Sequence, residues 1–292
     1  MCMMGVVWNI IIKNKKMIDL FNIKNLKELC EKYRLMPSKK YGQNFLISES
    51  VIKRMIEEAD INENDVIVEI GPGFGPLTFA LAKKAKRVIA FEIEKKLENY
   101  WEEFCPENVE IIWGNVLREI ENQKSINSVK SYKVIANLPY QITSSAIRKF
   151  LEIKHQPSEM IFMVQKEVGE RICAKMGEMS LLSVAVQFYA EPKILFNVNR
   201  TKFWPEPKVD SVIIKLKLKR LPFNTDEKEF FNIVKIGFSN KRKKLINNLK
   251  SLEKGNKKIK DIFKEIGLDI NVRAQELDVN DWQKLADSIN LA

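Results

Sequence analysis

One histidine and four scattered cysteines are all that the 292 residues offer to imidazole or thiol chemistry. A lone imidazole, His155, argues against a histidine-based metal centre and against Ser-His-Asp machinery. It stands in Lys154-His155-Gln156-Pro157, a loop in which a solvated side chain is expected. Cys2, Cys30, Cys105 and Cys173 form no Cys-x-x-Cys pair, which argues against a zinc ribbon and a disulfide framework. No apolar run approaches the ~18–20 residues that cross a bilayer. Internal repeats and long low-complexity tracts are also lacking. These absences describe a reduced, cytoplasmic protein with no metal and no membrane span.

At the N-terminus the apolar run Val6–Ile12 is followed by Lys13, Lys15 and Lys16. A signal peptide would carry its charges ahead of the run and a small-residue cleavage site behind it. Residues 1–16 are therefore expected to be a short extension, and Met17 is a second candidate for the natural start. Mass spectrometry of the N-terminal peptide from cells decides between the two.

An apolar share of 45% supports a sizeable core. The length is a soft prior for about two domains. The net charge of +11 is compatible with a nucleic-acid partner, because Lys and Arg displace counterions condensed on phosphates. A lysine-rich composition alone would give the same number.

Residues 25–38 read as a helix running into a linker at Pro37, then a basic loop, 39–46. Ser48 is a candidate cap for a helix over 49–59, where Val51, Ile52, Met55 and Ile56 recur at helical spacing. From Asp65 onward short apolar runs alternate with helices. Strands are expected at 66–70, 87–92, 109–113, 133–136 and 160–165, and helices at 76–84, 95–104 and from 167. Such continuous apolar strands imply an α/β fold with a parallel sheet covered on both faces. Residues 194–198 and 212–218 read as closing strands. Beyond Arg220-Leu221-Pro222 the chain reads as helical and basic. The expected domains are an N-terminal extension and helix, 1–37, a catalytic domain, 38–220, and a helical domain, 221–292.

The first strand ends in Glu69-Ile70-Gly71-Pro72-Gly73-Phe74-Gly75-Pro76. Glycines at a strand-to-helix turn let the backbone approach a ligand. Glu92, 21 positions after Gly71, ends the next strand, where a carboxylate can accept from both hydroxyls of a ribose. That layout fits a dinucleotide or S-adenosylmethionine. Spacing G-x-G-x-G rather than G-x-G-x-x-G, with Glu69 just ahead of the glycines, favours the second ligand. Glu69 would repel a pyrophosphate but suits an ammonium and a sulfonium. Asn115, after the third strand, is either an acceptor beside the cofactor's adenine or a turn residue following Gly114. Asn137-Leu138-Pro139-Tyr140 closes the run Val134-Ile135-Ala136 with an amide, a kinked backbone and an aromatic ring. The four residues can grip a planar amine such as adenine N6, and equally describe a Pro-ended strand with a packing tyrosine.

Together these motifs resemble the small-subunit (16S) rRNA adenine N6-dimethyltransferases, the KsgA/RsmA family, over roughly residues 38–250. The resemblance is carried by Gln43-Asn44-Phe45-Leu46, the Glu69 loop, Asn137–Tyr140, Gln165-Lys166-Glu167-Val168, and Phe203–Ser211. Phe238–Lys244 resembles the basic segment of that family's C-terminal helical domain. It implies a Rossmann-like class I methyltransferase domain followed by a smaller all-helical, RNA-binding one. It further implies cofactor contacts at Asn44, Leu46, Gly71, Gly73, Glu92, Asn115 and Asn137, and a target-base pocket of Asn137, Leu138, Pro139, Tyr140 and Phe203. Two positions depart from the family: Asn115 stands where Asp is usual, and Gln141 where Asn follows the tyrosine.

The expected chemistry is dimethylation of N6 on two adjacent adenines in a hairpin loop near the 3′ end of small-subunit rRNA. The Asn137 amide oxygen and the Leu138 or Pro139 carbonyl would accept the two N–H bonds, with Tyr140 and Phe203 sandwiching the extruded base. Phe203 alone would read as loop packing. From 239 to 260 nine Lys or Arg face one acid, Glu253. Lys241, Arg242 and Lys244, with Lys39 and Lys40, are the candidate phosphate contacts in the assembling small ribosomal subunit, and a monomer is expected. The rival readings are a large-subunit rRNA adenine methyltransferase of the macrolide-resistance type and a non-catalytic RNA-binding assembly factor.

Overall fold

A computed structural model describes residues 18–35, 37, 44–219, 226–252 and 259–290. The extension 1–16, Met17, Lys39, Lys40 and Gln43 lie outside the described residues. The chain divides into two compact units, residues 1–166 with 193–217 and residues 167–192 with 218–292.

Nine strands are present among the described residues: β1 (Phe45–Leu46), β2 (Val66–Ile70), β3 (Arg87–Glu92), β4 (Val109–Trp113), β5 (Lys133–Asn137), β6 (Glu159–Gln165), β7 (Ala190–Val198), β8 (Phe203–Trp204) and β9 (Ser211–Leu218). Seven form one sheet in the order β4-β3-β2-β5-β6-β9-β7, and β1 pairs with β8 separately. Pairing is parallel from β4 through β6, whereas β9 runs antiparallel to β6. Every residue of β2 is buried, as a β-branched run covered on both faces requires. Strand order reverses between β2 and β5, which makes the carboxyl ends of these two strands the natural crevice for a ligand.

The helices of the first unit are α1 (Ile23–Lys32), α2 (Glu49–Glu58), α3 (Pro76–Ala82), α4 (Glu98–Phe104), α5 (Val116–Glu119), α6 (Lys124–Asn127) and α7 (Thr143–Glu152). On one face of the sheet Val51, Ile52, Met55 and Ile56 of α2 join Leu77 and Leu81 of α3 over Ile67, Val88, Ile135 and Ile213. A second cluster packs Leu26, Leu29 and Cys30 of α1 against Phe74 and against Tyr100, Trp101 and Phe104 of α4.

Three local expectations are corrected. The first helix ends at Lys32, not 38: Arg34 takes φ +51°, and the N–H groups of Leu35 and Arg34 return to the carbonyls of Cys30 and Glu31. This is the left-handed stop that glycine usually marks, built here on a residue that gives no such signal. Ser48 occupies the N-cap of α2, but its hydroxyl pairs with Ser50 Oγ at 3.1 Å and caps no backbone N–H. His155 is half-buried, its ring 5.2 Å from that of Tyr132, and its Nε2 is enclosed with no partner among the described residues.

In the second unit α8 (Lys166–Ile172) and α9 (Leu181–Tyr189) cluster with α10 (Glu227–Gly237), α11 (Leu245–Leu249), α12 (Ile259–Glu265) and α13 (Val279–Asn290). Phe188 stacks on Phe230 at 4.4 Å, and the Tyr189 hydroxyl donates to Glu227 at 2.6 Å. Phe238 stacks on Trp282 at 5.5 Å.

Candidate active site

The turn leaving β2 is shaped by its glycines. Gly75 takes φ +80°, and a Cβ there would lie 2.7 Å from the rings of Phe79 and Trp101, so no larger residue fits. Gly71 and Gly73 also have positive φ. Two aromatic side chains of α4 fasten the turn from behind. Trp101 Nε1 donates to the Gly73 carbonyl at 3.1 Å, and the Tyr100 hydroxyl donates to the Phe74 carbonyl at 2.8 Å. Phe45 of β1 covers the front, its ring 5.4 Å from that of Phe74.

Glu92, at the end of β3, is buried, and each of its oxygens is engaged by backbone. Oε2 accepts from Gly73 N–H at 3.0 Å and Oε1 from Glu94 N–H at 2.8 Å. Burial raises this carboxyl above the ordinary range, while the backbone N–H groups of Glu94, Gly73 and Ile93 pull it back. Each oxygen keeps a second acceptor direction for a ligand hydroxyl. Glu69, on β2, is 2% exposed and its Oε2 is buried with no partner among the described residues. Burial pushes its carboxyl up to about 8; the Thr78 hydroxyl pulls it back in part, and neighbouring Glu92 adds to the rise.

The register Val68 opposite Val134 carries Gly71 to the level of Asn137, three places further along each strand. A Cβ on Gly71 would indeed lie 3.8 Å from Pro139 Cγ, so glycine turn and Asn137 segment touch. The Pro139 carbonyl is occupied twice, by Ile142 N–H at 3.1 Å and Thr143 Oγ1 at 3.3 Å. Leu138 N–H bonds to Met163 O at 3.2 Å, and the Leu138 carbonyl accepts nothing among the described residues. The Tyr140 hydroxyl pairs with Ser211 Oγ of β9 at 3.0 Å. Burial raises its pKa, so the ring presents a neutral phenol.

One cleft gathers Asn44, Leu46, Gly71, Gly73, Glu92, Asn137, Leu138, Pro139, Tyr140 and Phe203. Segments far apart in sequence meet there because β1 and β8 pair, Leu46 opposite Phe203 and Phe45 opposite Trp204. Phe203 is 3% exposed and belongs to the main core while also lining the cleft. Asn115 does not line it. Its side chain accepts from Leu117 N–H at 3.0 Å and caps α5. Lys241, Arg242 and Lys244 are exposed in the second unit between α10 and α11, and Lys244 Nζ donates to Asn271 Oδ1 at 2.5 Å.

Ile93, not singled out in the sequence, also lines the cleft and is 55% exposed. An apolar residue directly after a strand-ending carboxylate was the available signal, since it offers an apolar surface beside that acid. A buried carboxylate with one orphaned oxygen and, among the described residues, no lining cation fits a positively charged nucleoside such as S-adenosylmethionine and does not fit a pyrophosphate.

The sequence profile of a family described as ribosomal RNA adenine dimethylase matches residues 36–291. The Ribosomal RNA small subunit methyltransferase A of Fusobacterium nucleatum is 42% identical over 254 residues, covering 85% of this chain and 95% of that protein. Its namesake in Bacillus cereus is 38% identical over 289 residues, covering 94% and 99%. Among solved structures, a dimethyladenosine transferase from Plasmodium falciparum matches with a TM-score of 0.70 at 29% identity, over 84% of this chain and 96% of that one. The 23S rRNA methyltransferase ErmE shares the fold, with a TM-score of 0.67 at 23% identity over 85% and 100%.

Proposed function

The chain belongs to the ribosomal RNA adenine dimethylase family, and from that premise we propose that it is an S-adenosylmethionine-dependent dimethyltransferase of small-subunit rRNA. Its substrates are two adjacent adenines in a hairpin loop near the 3′ end, each methylated twice at N6 during ribosome biogenesis. Small-subunit relatives at 38–42% identity favour this target over the large-subunit one.

The observation that carries the reading is a pair of acceptors at the end of β5, the Asn137 amide oxygen and the Leu138 carbonyl, to which no donor bonds among the described residues. Adenine N6 is a poor nucleophile because its lone pair is delocalised into the ring. The Asn137 amide oxygen and the Leu138 carbonyl accept its two N–H bonds and draw the nitrogen toward tetrahedral geometry. Pro139 is the poorer alternative, since its carbonyl already holds two donors. Tyr140 and Phe203 stack on the extruded base, each ring contributing about 1–3 kcal/mol. Tyr140 is held in its orientation by Ser211. S-adenosylmethionine supplies the electrophilic methyl on its sulfonium. Of the residues lining the cleft, Glu92 would receive its ribose hydroxyls, Ile93 and Leu97 would offer apolar surface to its purine, and Glu69 would answer its cationic end. Rate acceleration then comes mainly from positioning.

Lys241, Arg242 and Lys244 contact rRNA phosphates, together with Lys39 and Lys40, and position the substrate without reading its sequence. The test is methyl transfer from labelled S-adenosylmethionine to small subunits lacking adenine dimethylation, with mass mapping of the product. Two adjacent dimethyladenosines near the 3′ end are expected. Labelling of large-subunit RNA instead would overturn the assignment.

A further inference from the structure

The cleft holds two carboxylates and, among its described lining residues, no lysine, arginine or histidine. Glu92 is compensated by two backbone N–H groups. Glu69 accepts from no backbone N–H among the described residues. It is buried, one of its oxygens is orphaned, and the titratable group acting on it is Glu92 from β3, of the same charge. From α3 it meets the neutral, fully buried Thr78, whose hydroxyl pulls the carboxyl back only in part against the effect of burial. Asn137 on the β5 side is a neutral amide. An ionised Glu69 therefore meets no cation among the described residues until something positive enters the cleft.

We propose that Glu69 is a proton-linked counter-ion for the methyl donor: neutral in the free protein, it ionises when the positively charged cofactor binds and the proton leaves to solvent. The inference rests on the methyl-donor reading of the cleft. In the binding step the carboxyl O–H bond breaks, its electron pair stays on oxygen, and the proton passes to buffer through the open cleft. The cofactor's cationic end takes the proton's place, so the cleft carries the same charge before and after. A raised carboxyl, at about 8, agrees with this geometry. Loss of the sulfonium charge on methyl transfer weakens that pairing, so the thioether product is held less tightly and Glu69 tends to recover its proton.

Calorimetric titration of S-adenosylmethionine into the intact protein near neutral pH, repeated in buffers of different ionisation enthalpy, counts the protons exchanged. Release of about one proton is expected, declining above pH ~8, with affinity rising up to roughly tenfold per pH unit below that point. Neutral 5′-methylthioadenosine should bind without releasing a proton. Glu69→Gln should bind S-adenosylmethionine more weakly, with no proton release and a flat pH profile. Binding without proton exchange in the unaltered protein overturns the inference and leaves the methyl-donor reading standing. Undiminished release from Glu69→Gln overturns it in favour of Glu92. Failure of the unaltered protein to bind S-adenosylmethionine at any pH overturns both. Should Glu69→Gln not fold, the buffer series on the unaltered protein decides alone.

Discussion

Leu46 faces Phe203 across a two-residue antiparallel pair, and both side chains line the cleft beside Asn137. That short ladder joins the segment before α2 to the segment after β7, so one aromatic ring serves the core and the pocket together. Phe203→Ala should cost about 3–5 kcal/mol of stability. Phe203→Leu, which retains most of the volume, should cost about 1–2 kcal/mol but still raise KM for the RNA. Denaturant titration and steady-state kinetics separate the two effects. A leucine variant with unaltered KM and kcat would remove Phe203 from the base pocket.

Asn137→Ala removes one of two acceptors for the amine and leaves the Leu138 carbonyl alone. Turnover should fall by at least ~10²-fold, the usual scale for losing one positioned polar partner. RNA affinity should be unchanged. Comparable turnover by this variant would refute the role assigned to the amide.

Gly75 and Gly177 both have left-handed φ, +80° and +97°, but only Gly75 is crowded by rings. Alanine at Gly177 should cost about 1–2 kcal/mol for conformation alone. At Gly75 the loss should be larger, because Phe79 and Trp101 must move, and affinity for S-adenosylmethionine should fall with it. Equal melting-temperature losses for the two variants would contradict the close packing of those rings on the turn.

Glu69 also sets a pH dependence on folding. Its folded carboxyl, at about 8, lies above the unfolded value, so the folded state binds the extra proton between the two. The stabilisation relative to the unfolded chain is complete below about pH 4 and is lost as pH rises through about 8. Glu92, raised in the same direction, adds to the trend. Without cofactor, the protein should therefore lose stability from pH 5 to 8, and Glu69→Gln should flatten much of that slope. A stability that rises over this range would show that Glu69 is ionised in the free protein.

Replacing Lys241, Arg242 and Lys244 together by Ala should weaken RNA binding and flatten its salt dependence. Each phosphate-binding side chain removed lowers the slope of log K against log salt by roughly 0.7–0.9. An unchanged slope would move the interface elsewhere.

The sheet was largely legible in the sequence because a strand buried on both faces must be apolar throughout, as Val66–Ile70 and Arg87–Glu92 very nearly are. The glycine turn was legible too, since left-handed φ and close ring packing leave few alternatives to glycine. So were Glu92 and Asn137, each placed at a strand's carboxyl end by chain direction alone. Family membership followed from the order of these motifs. By contrast, a left-handed Arg34 carries no composition signal, and the end of α1 was misplaced. Helices 143–152 and 181–189 were not assigned, and 167–192 cluster with the C-terminal helices through long-range packing that no local pattern announces.

Site chemistry divided in the same way. Residue types and their order were written in the chain, and so was the ligand class they suit. Only the tertiary structure decided which groups remain unpaired among the described residues: that Pro139 O is occupied and Leu138 O is open, that Asn115 caps a helix, and that Glu69 is enclosed with no cation among them. Hydrogen-bond saturation and desolvation depend on neighbours brought in from distant segments. Those neighbours are set by packing, which sequence position does not encode locally.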